Sequence, residues 1–230
     1  MSYARSPAGR WSQPRAVFTN SNRPGVGKGD WNCLVSNPSP LLLDNGTVGL
    51  IFSSLPCTGP NYGKYGTSLG LALASHWNAT NYTQSPAPIW LKQGAAWPDP
   101  HGDSNGVGNC EDPFVWQDAR KNFHIISHSQ GQRNLCGGGE SAGNACAIHF
   151  FSRDLLGPWL HSMTAVYSGA VNVTSPNRNG AIGGSREAVM VSRQRPQIVF
   201  GADASPLYLF NAGNFDQADH TFAFEFNNEI

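Results

Sequence analysis

Charge is scarce in this sequence, and neither sign predominates. Charged residues make up 13% of the 230 residues, and 15 lysines and arginines balance 15 aspartates and glutamates. No run of basic residues occurs anywhere in the chain. Because proteins that bind nucleic acid present a basic patch or stripe, nucleic acid is not an expected partner.

Long hydrophobic runs are missing too. No apolar stretch approaches the ~20 residues that a membrane-spanning helix needs, so no membrane association is expected. The opening residues, MSYARSPAGRW, contain no apolar core of the kind found in secretory signal peptides. The chain also lacks the helical period of apolar residues, which argues against an α-helical fold.

Turn residues are plentiful, and one segment is written three times with variations. Its copies are NPSPLLLDNGTVGLIFSS at 37–54, EDPFVWQDARKNFHIISHS at 111–129 and QRPQIVFGADASPLYLFNAG at 194–213. Each copy has a proline after a polar residue, a short apolar run, a turn with Asp, Asn or Gly, and a second apolar run. This order is typical of a β-hairpin. Its recurrence predicts an all-β fold, with the hairpins in the blades of a β-propeller.

The spacing of these hairpins predicts a single propeller domain over residues 1–230. Residues 1–18, which contain SPAGRW, are expected to form the outer part of a blade, as RDLLGPW does at 153–159. The further predicted blades are 37–93, 111–167 and 194–230. Propellers have about four to eight blades, and the chain accounts for roughly three and a half. The chain is therefore a fragment, is completed by self-assembly or a partner, or has a different blade count.

The starts of the innermost strands are expected to converge around one central funnel. Asn37, Glu111, Asp112 and Arg195 stand at these starts. Carboxylates, an amide and a guanidinium suit carbohydrate chemistry, so carbohydrate is the expected partner. We predict Glu111 and Asp112 as catalytic residues, and Asn37 and Arg195 as substrate-binding residues.

Glu111 is the best candidate for a general acid. Glycoside hydrolysis needs one carboxylic acid to protonate the leaving oxygen and a second carboxylate to activate water or attack carbon. The neighbouring Asp112 and the apolar Phe114 and Trp116 are expected to raise the pKa of Glu111. The alternative is that Glu111 and Asp112 only form the solvated start of a strand.

Two histidines and two tryptophans are further candidates for contact with a sugar. His124 and His128 are four residues apart in a predicted strand, so both side chains are expected on one face. They would hydrogen-bond a sugar or a carboxylate, or else pack against the next blade. Two histidines without a third ligand at a recognisable spacing predict no metal, and no cofactor is expected. Trp97 and Trp31, in predicted loops, are candidates to stack on a pyranose ring.

Four Asn-x-Thr sequons favour an extracellular location, either secreted or at the cell surface. The predicted glycosylation sites are Asn45, Asn78, Asn81 and Asn172.

The five cysteines are compatible with disulfides, which form in the same compartment. Cys136 and Cys146 flank a glycine-rich loop and are predicted to pair. Cys33 with Cys57 is the second predicted disulfide, which leaves Cys110 unpaired. The alternative is five reduced, buried thiols.

A family resemblance covers nearly all of 1–213. It is carried in order by ARSPAGRW, NPSPLLLDNGTVGLIF, GLALASHW, EDPFVWQDARKNFHIISH, FFSRDLLGPW and RQRPQIVFGADASPLYLFNA. These phrases are similar to the family 43-like five-bladed β-propeller glycoside hydrolases, in particular to a eukaryotic, often algal or protist, branch of unassigned activity. The resemblance implies that the inner strands of the first blade lie outside this chain.

The resemblance also implies roles for individual residues. Members of the family use an Asp in the first blade as general base, a second Asp that tunes the pKa of a neighbouring group, and a Glu as general acid. They hydrolyse mainly arabinosides, xylosides and galactosides, with inversion at the anomeric carbon. Glu111 matches the acid, whereas Asn37 stands where a carboxylate is expected. Arg195 resembles a funnel arginine that binds a sugar hydroxyl or carboxylate.

Three functions follow from these observations. The first is an inverting glycoside hydrolase that acts on plant- or algal-type polysaccharide. The second is a catalytically silent propeller that binds glycan. The third is a structural subunit of an extracellular glycoprotein assembly.

Overall fold

The structure is a computed structural model in which every regular element of the described residues is a β-strand. It describes residues 2, 4, 6, 8–18, 31–55, 67–89, 110–129, 146–162, 164–167, 169–176, 182–190, 192–215 and 218–226. Within these ranges there is no helix long and apolar enough to span a membrane.

The first sheet is an antiparallel meander of four strands. These are β1 (Leu34–Leu42), β2 (Val48–Leu55), β3 (Ser68–Ala74) and β4 (Thr83–Gln84). The β1–β2 turn uses Asn45, whose side-chain oxygen accepts a hydrogen bond from the Thr47 amide at 3.0 Å, and Gly46 at a φ of +85°. Such a turn needs a residue that tolerates positive φ, which is the reason for the predicted Asn-Gly signal.

The second sheet repeats this order. Its strands are β5 (Cys110–Gln117), β6 (Phe123–Ser129), β7 (Cys146–Ser152) and β8 (Leu160–His161). The β5–β6 turn is closed by Asp118, whose side chain accepts a hydrogen bond from the Asn122 amide at 2.7 Å.

The rest of the described chain adds a hairpin and a third sheet. The hairpin consists of β9 (Ala170–Pro176) and β10 (Ile182–Val189), and the sequence pattern did not anticipate it. The third sheet has β11 (Ser192–Phe200), β12 (Pro206–Phe215) and β13 (Ala218–Glu225), again as an antiparallel meander.

Both faces of the second sheet are covered by another sheet. One face packs on the first sheet through a buried cluster that includes Ile51, Leu71 and Ile125. The other face packs on the third sheet through a cluster that includes Ile126 and Ile198. Face-to-face packing of antiparallel meanders confirms the predicted all-β propeller architecture.

The described residues before Phe18 include no strand. Val17 and Phe18 instead pack on the first sheet, where the ring centroids of Phe18 and Phe52 are 5.2 Å apart. Trp31 lies in the same cluster, stacked on Phe52, and its indole nitrogen donates a hydrogen bond to the Pro86 carbonyl. Trp31 is only 8% exposed, because its ring packs in this cluster. The prediction that Trp31 stacks on a sugar is therefore wrong.

Each first strand of the three sheets carries the same irregularity. The pairing register shifts between Ser36 and Ser39 in β1, between Glu111 and Phe114 in β5, and between Gln194 and Gln197 in β11. The residue before the proline has a left-handed backbone at each bulge. These residues are Asn37 (φ 49°), Asp112 (φ 50°) and Arg195 (φ 51°). The repeat in the sequence is thus also a repeat of backbone conformation, and it gives these three residues equivalent positions.

Candidate active site at the starts of the inner strands

Hydrogen bonds join the three bulges to neighbouring sheets. The Asp112 amide donates to Ser53 Oγ of the first sheet at 3.0 Å, and the Val115 amide donates to Ser39 Oγ at 2.9 Å. The Arg195 amide of the third sheet donates to Asp112 Oδ2 at 3.3 Å. The predicted convergence therefore occurs, with Asp112 between the other two sheets.

Asp112 is held in a mostly buried position. Its side chain is 5% exposed, and its Oδ1 has no hydrogen-bond partner among the described residues. A buried, unsatisfied carboxyl oxygen is uncommon in folded proteins and marks a site with a special requirement.

Glu111 is half-buried beside Asp112 and is opposite His128 in the β5–β6 ladder. Burial raises the pKa of Glu111, the charge of Asp112 raises it further, and the charge of Arg195 lowers it. The Glu111 carbonyl accepts a hydrogen bond from Ser127 Oγ at 2.6 Å, which fixes the backbone at this point. A carboxyl group with a raised pKa is suited to donate a proton near neutral pH.

The two predicted histidines lie on one face of β6 but in different surroundings. Four residues of strand separate them by about 13 Å. His128 is 1% exposed and belongs to the group around Glu111. His124 lies at the opposite end, where it hydrogen-bonds Asp118 at 3.2 Å and His149 at 2.9 Å. The structure thus brings His128 to the candidate site and holds His124 in a separate cluster.

Asn37 and Arg195 complete the set of equivalent bulge residues. Asn37 is partly exposed and presents an amide, whereas Arg195 is exposed and presents a guanidinium group. Trp97, the remaining predicted sugar-binding residue, lies outside the described residues.

The residues predicted to be modified are the sequon asparagines and four of the cysteines. Asn45, Asn78 and Asn81 are exposed, and Asn172 lies in β9. Cys57 and Cys136 lie outside the described residues, so both predicted disulfides stay predictions. Cys110 is a buried free thiol, and burial raises its pKa to about 12.

Sequence reasoning missed a buried network behind Asp112. Arg193 is 4% exposed, with its guanidinium carbon 4.0 Å from the ring centroids of both Tyr167 and Phe224. Its Nε donates to Asn211 Oδ1 at 3.0 Å, and Asn211 in turn donates to the Tyr167 hydroxyl at 3.1 Å. Burial raises the pKa of Tyr167 and lowers that of Arg193 to about 10. No local pattern in the sequence distinguishes this buried arginine from an exposed one.

The same residues offer a geometry that a small cation would fit. Glu111, Asp112 and His128 each place one potential ligand atom within 4.8 Å of the others. Arg195, however, brings positive charge close enough to lower the pKa of Glu111. We therefore assign no metal to this group, and the expectation that the protein uses neither metal nor cofactor stays a prediction.

The separation of the two carboxyl groups limits what they can do together. Inverting glycoside hydrolases keep their catalytic carboxyl groups about 6.5–9.5 Å apart to leave room for a water molecule. One carboxyl oxygen of Glu111 and one of Asp112 lie within 4.8 Å of each other. Asp112 therefore lies beside Glu111, where its charge raises the pKa of Glu111, and not across a bound sugar from it.

Comparison with known proteins supports the fold. A scan against models of protein families finds no match, and a search of curated proteins finds no relative. Among solved structures, the chain is similar to an endo-arabinase from Bacteroides thetaiotaomicron, with a TM-score of 0.58 and 12% identity. The match covers 99% of this chain and 65% of that enzyme.

Two weaker similarities have TM-scores below 0.5 and carry no argument. A xylan β-1,4-xylosidase from Bacillus halodurans has a TM-score of 0.38 at 13% identity, over 98% of this chain and 47% of that one. A thermostable family-43 glycoside hydrolase has a TM-score of 0.39 at 12% identity, over 88% of this chain and 76% of that one. At such identities only the fold follows: the chain is a β-propeller of the kind found in glycoside hydrolases.

Proposed function

We propose that this chain is a glycoside hydrolase-like propeller that acts on plant- or algal-type polysaccharide, with Glu111 as its general acid. The observation that supports this most is the environment of Glu111, where burial and the Asp112 charge raise its pKa. A carboxyl group with a raised pKa is better able to protonate a glycosidic leaving oxygen. The arabinoside, xyloside and galactoside class of substrate follows from the family resemblance.

In this proposal Glu111 donates its proton to the glycosidic oxygen as the bond to the anomeric carbon breaks. Arg195 is exposed beside Glu111 and binds a hydroxyl or carboxylate of the sugar. Inversion also needs a general base on the opposite face of the sugar, and Asp112 lies beside Glu111 and not opposite it.

A second candidate is a propeller that binds glycan without turnover. Asn37 favours it, because an amide at this bulge hydrogen-bonds a hydroxyl but cannot accept a proton from water. Under this alternative the same funnel binds sugar, and Glu111 donates no proton to it despite its raised pKa.

Glu111→Gln separates the two candidates. The amide keeps shape and hydrogen bonding but cannot donate a proton, so hydrolysis should fall by about 10²–10⁴ while binding persists. Release of reducing sugar from arabinan, xylan and galactan measures turnover, and calorimetry with their oligosaccharides measures binding. Glu225→Gln, a neutralised exposed glutamate on β13, is the matched control and should leave both unchanged.

The outcomes point to different functions. Wild-type cleavage that Glu111→Gln abolishes supports the hydrolase, and equal cleavage by both eliminates Glu111 as the acid. Binding by the wild type without any cleavage supports the second candidate. If no oligosaccharide of this class is bound or cleaved, both candidates fail.

We further propose an extracellular location. The exposed sequon residues Asn78 and Asn81, which flank Ala79 and Thr80 before β4, support it. Peptide mapping of protein isolated from its natural source should find a glycan on one of these two asparagines. A map in which no sequon carries glycan contradicts this location.

A further inference from the structure

We infer that His124 and His149 form a binding site for a divalent transition metal ion, and that Cu²⁺ is the ion this site prefers. The pair lies at the end of the second sheet away from Glu111, so the inference does not rest on the proposed function. The expectation of no metal considered His124 only with His128, which is about 13 Å away along the same strand. The structure instead joins His124 of β6 to His149 of β7.

The distance between the two rings indicates the geometry of the ion. His124 Nδ1 and His149 Nε2 are 2.9 Å apart. Imidazole nitrogens bind a divalent metal at about 2.0–2.1 Å, so two of them at a right angle are about 2.9 Å apart, and at the tetrahedral angle about 3.4 Å. The pair therefore fits two neighbouring positions of a square-planar or tetragonal ion, which is the geometry of Cu²⁺ and Ni²⁺. Of these ions, Cu²⁺ binds nitrogen ligands more tightly.

Asp118 supports the His124 ring from the side away from His149. Its Oδ2 accepts a hydrogen bond from His124 Nε2 at 3.2 Å, so in the neutral ring the Nδ1 lone pair faces His149. Asp118 is held in turn by Asn122, whose amide and side-chain nitrogens donate to it at 2.7 and 3.0 Å. A carboxylate that accepts from the second ring nitrogen is the usual support of a metal-binding histidine.

Trp116 holds both imidazoles in one orientation. The His124 and His149 rings are stacked on its indole at centroid distances of 5.0 and 5.8 Å, and their own planes are 16° apart. His149 Nε2 is the donor in the hydrogen bond to His124 Nδ1, because Asp118 requires the His124 proton on Nε2. Binding of an ion therefore needs only that His149 carries its proton on Nδ1 instead.

Solvent reaches this pair, and its carboxylate is not taken by a lysine or arginine. The side chains of His124 and Asp118 are 18% and 29% exposed, and His149 is half-buried. Among the described residues, Asp118 forms an ion pair only with His124. Lys121 of the same turn pairs with Asp44 at 2.7 Å.

Titration of the metal-free full chain with CuCl₂ tests the inference. Calorimetry should give one Cu²⁺ per chain, and electron paramagnetic resonance should show a tetragonal ion with two nitrogen ligands. Asp118→Asn keeps both ligands and should weaken binding by about 10–100-fold. His124→Gln and His149→Gln each remove one ligand, so each should weaken binding further and abolish the two-nitrogen spectrum. Zn²⁺ should bind the wild type more weakly than Cu²⁺.

Two other histidine variants are the controls. His220, an exposed histidine on β13, is the matched control, and His220→Gln should leave affinity and spectrum unchanged. His128→Gln examines the group around Glu111 and should also leave them unchanged. A two-nitrogen spectrum that survives in both variants of the pair, or that is lost in His128→Gln, overturns the inference. So does a wild type that binds no Cu²⁺, or that binds Zn²⁺ as tightly as Cu²⁺.

Trp116→Phe keeps the test decisive if the variants of the pair do not fold. Paramagnetic Cu²⁺ on the two histidines should quench the fluorescence of Trp116, because both rings are stacked on it. Trp116→Phe should still bind Cu²⁺, with less quenching of the remaining tryptophans. Quenching that does not depend on Trp116 would mean that the ion binds elsewhere and would overturn the inference. None of these readouts uses glycoside cleavage, so this inference and the proposed function can fail separately.

Discussion

At the scale of single residues, the left-handed bulges have a conformational cost that differs with the side chain. Asparagine and aspartate tolerate positive φ better than most residues, and Asn37 and Asp112 occupy two of the three bulges. Arg195 occupies the third, although arginine has no special tolerance of positive φ. A residue in a costly conformation is a candidate for function, and under the proposed function the Arg195 guanidinium beside Glu111 binds the sugar.

Arg195→Gly and Arg195→Ala should separate that cost from the function of the guanidinium. Both remove the side chain and keep the amide that donates to Asp112. Glycine enters the left-handed region freely, whereas alanine retains the penalty, so the glycine variant should be about 1 kcal/mol more stable than the alanine variant. Denaturant unfolding measures the difference, and both variants should bind sugar more weakly. Equal stability of the two would show that the bulge is not left-handed at Arg195.

The same bulges mark what sequence reasoning missed at this scale. A residue before proline is normally biased to extended backbone, so nothing local in the sequence indicates the left-handed conformation of Asn37, Asp112 and Arg195. Their convergence was predictable from the repeat. The position of the Glu111 and Asp112 carboxyl groups on the same side of the strand was not predictable. It depends on the bulge between Glu111 and Phe114, which has no signal in the local sequence.

At the scale of elements, hairpins with a marked turn were predictable and short or polar strands were not. β1–β2 and β5–β6 each combine apolar runs with an Asn-Gly or Asp-containing turn. β4 and β8 have two residues each, which is too few for a recognisable alternation. They form by pairing with the edges of β3 and β7. β9–β10 reads AVNVTSP and IGGSREAV, where polar residues and glycines conceal the alternation.

A histidine pair links the strands of the second sheet at the end away from Glu111. The rings of His124 and His149 are stacked on Trp116 and joined by a 2.9 Å hydrogen bond. Burial, followed by the influence of His124, lowers the pKa of His149 to about 4. Burial opposes ionisation of Asp118, but hydrogen bonds from Asn122 and His124 outweigh it and lower its pKa to about 2.

This pair should make stability fall in mildly acidic solution. The unfolded chain protonates His149 near its usual pKa of about 6.5, whereas the folded protein resists protonation until about pH 4. Between these values the unfolded state binds more protons, so stability is lost as the pH falls from 6.5 to 4. His149→Gln, whose amide replaces Nε2 as a partner of His124, should flatten this part of the curve. The measurement is the free energy of unfolding as a function of pH.

Asp118→Asn provides the contrast for this prediction. The lowered pKa of Asp118 stabilises the fold above its usual value of 3.8, and that stability is lost between 3.8 and about 2. The variant should therefore change the curve mainly below pH 4. A His149→Gln curve that keeps the full wild-type slope between pH 4 and 6.5 would contradict the assignment to His149.

At the scale of the whole molecule, the sequence predicted the architecture because the same unit recurs. A pattern seen three times restricts the fold far more than one hairpin does, and packing of successive meanders follows from their two apolar faces. The chain spans 65% of the length of the endo-arabinase that it matches, so the activity of a complete ring stays a proposal. Composition indicates only which partners are not expected, and it cannot identify a sugar, because sugar specificity would depend on a few side chains in the funnel.

The redox state of the cysteines tests the proposed extracellular location of the whole molecule. Cys146 opens β7 and is fully buried, and Cys33 directly precedes β1, so each predicted disulfide would anchor a loop to the start of a strand. Closing the short loop between Cys136 and Cys146 should contribute about 2–3 kcal/mol, mainly by restricting the unfolded chain. Protein from its natural source, unfolded without reductant, should then expose one reactive thiol, that of Cys110. Cys110→Ala should reduce the count to zero, and non-reducing peptide maps should show both predicted pairs. Five reactive thiols in the unreduced wild type would refute both disulfides and favour a reducing compartment.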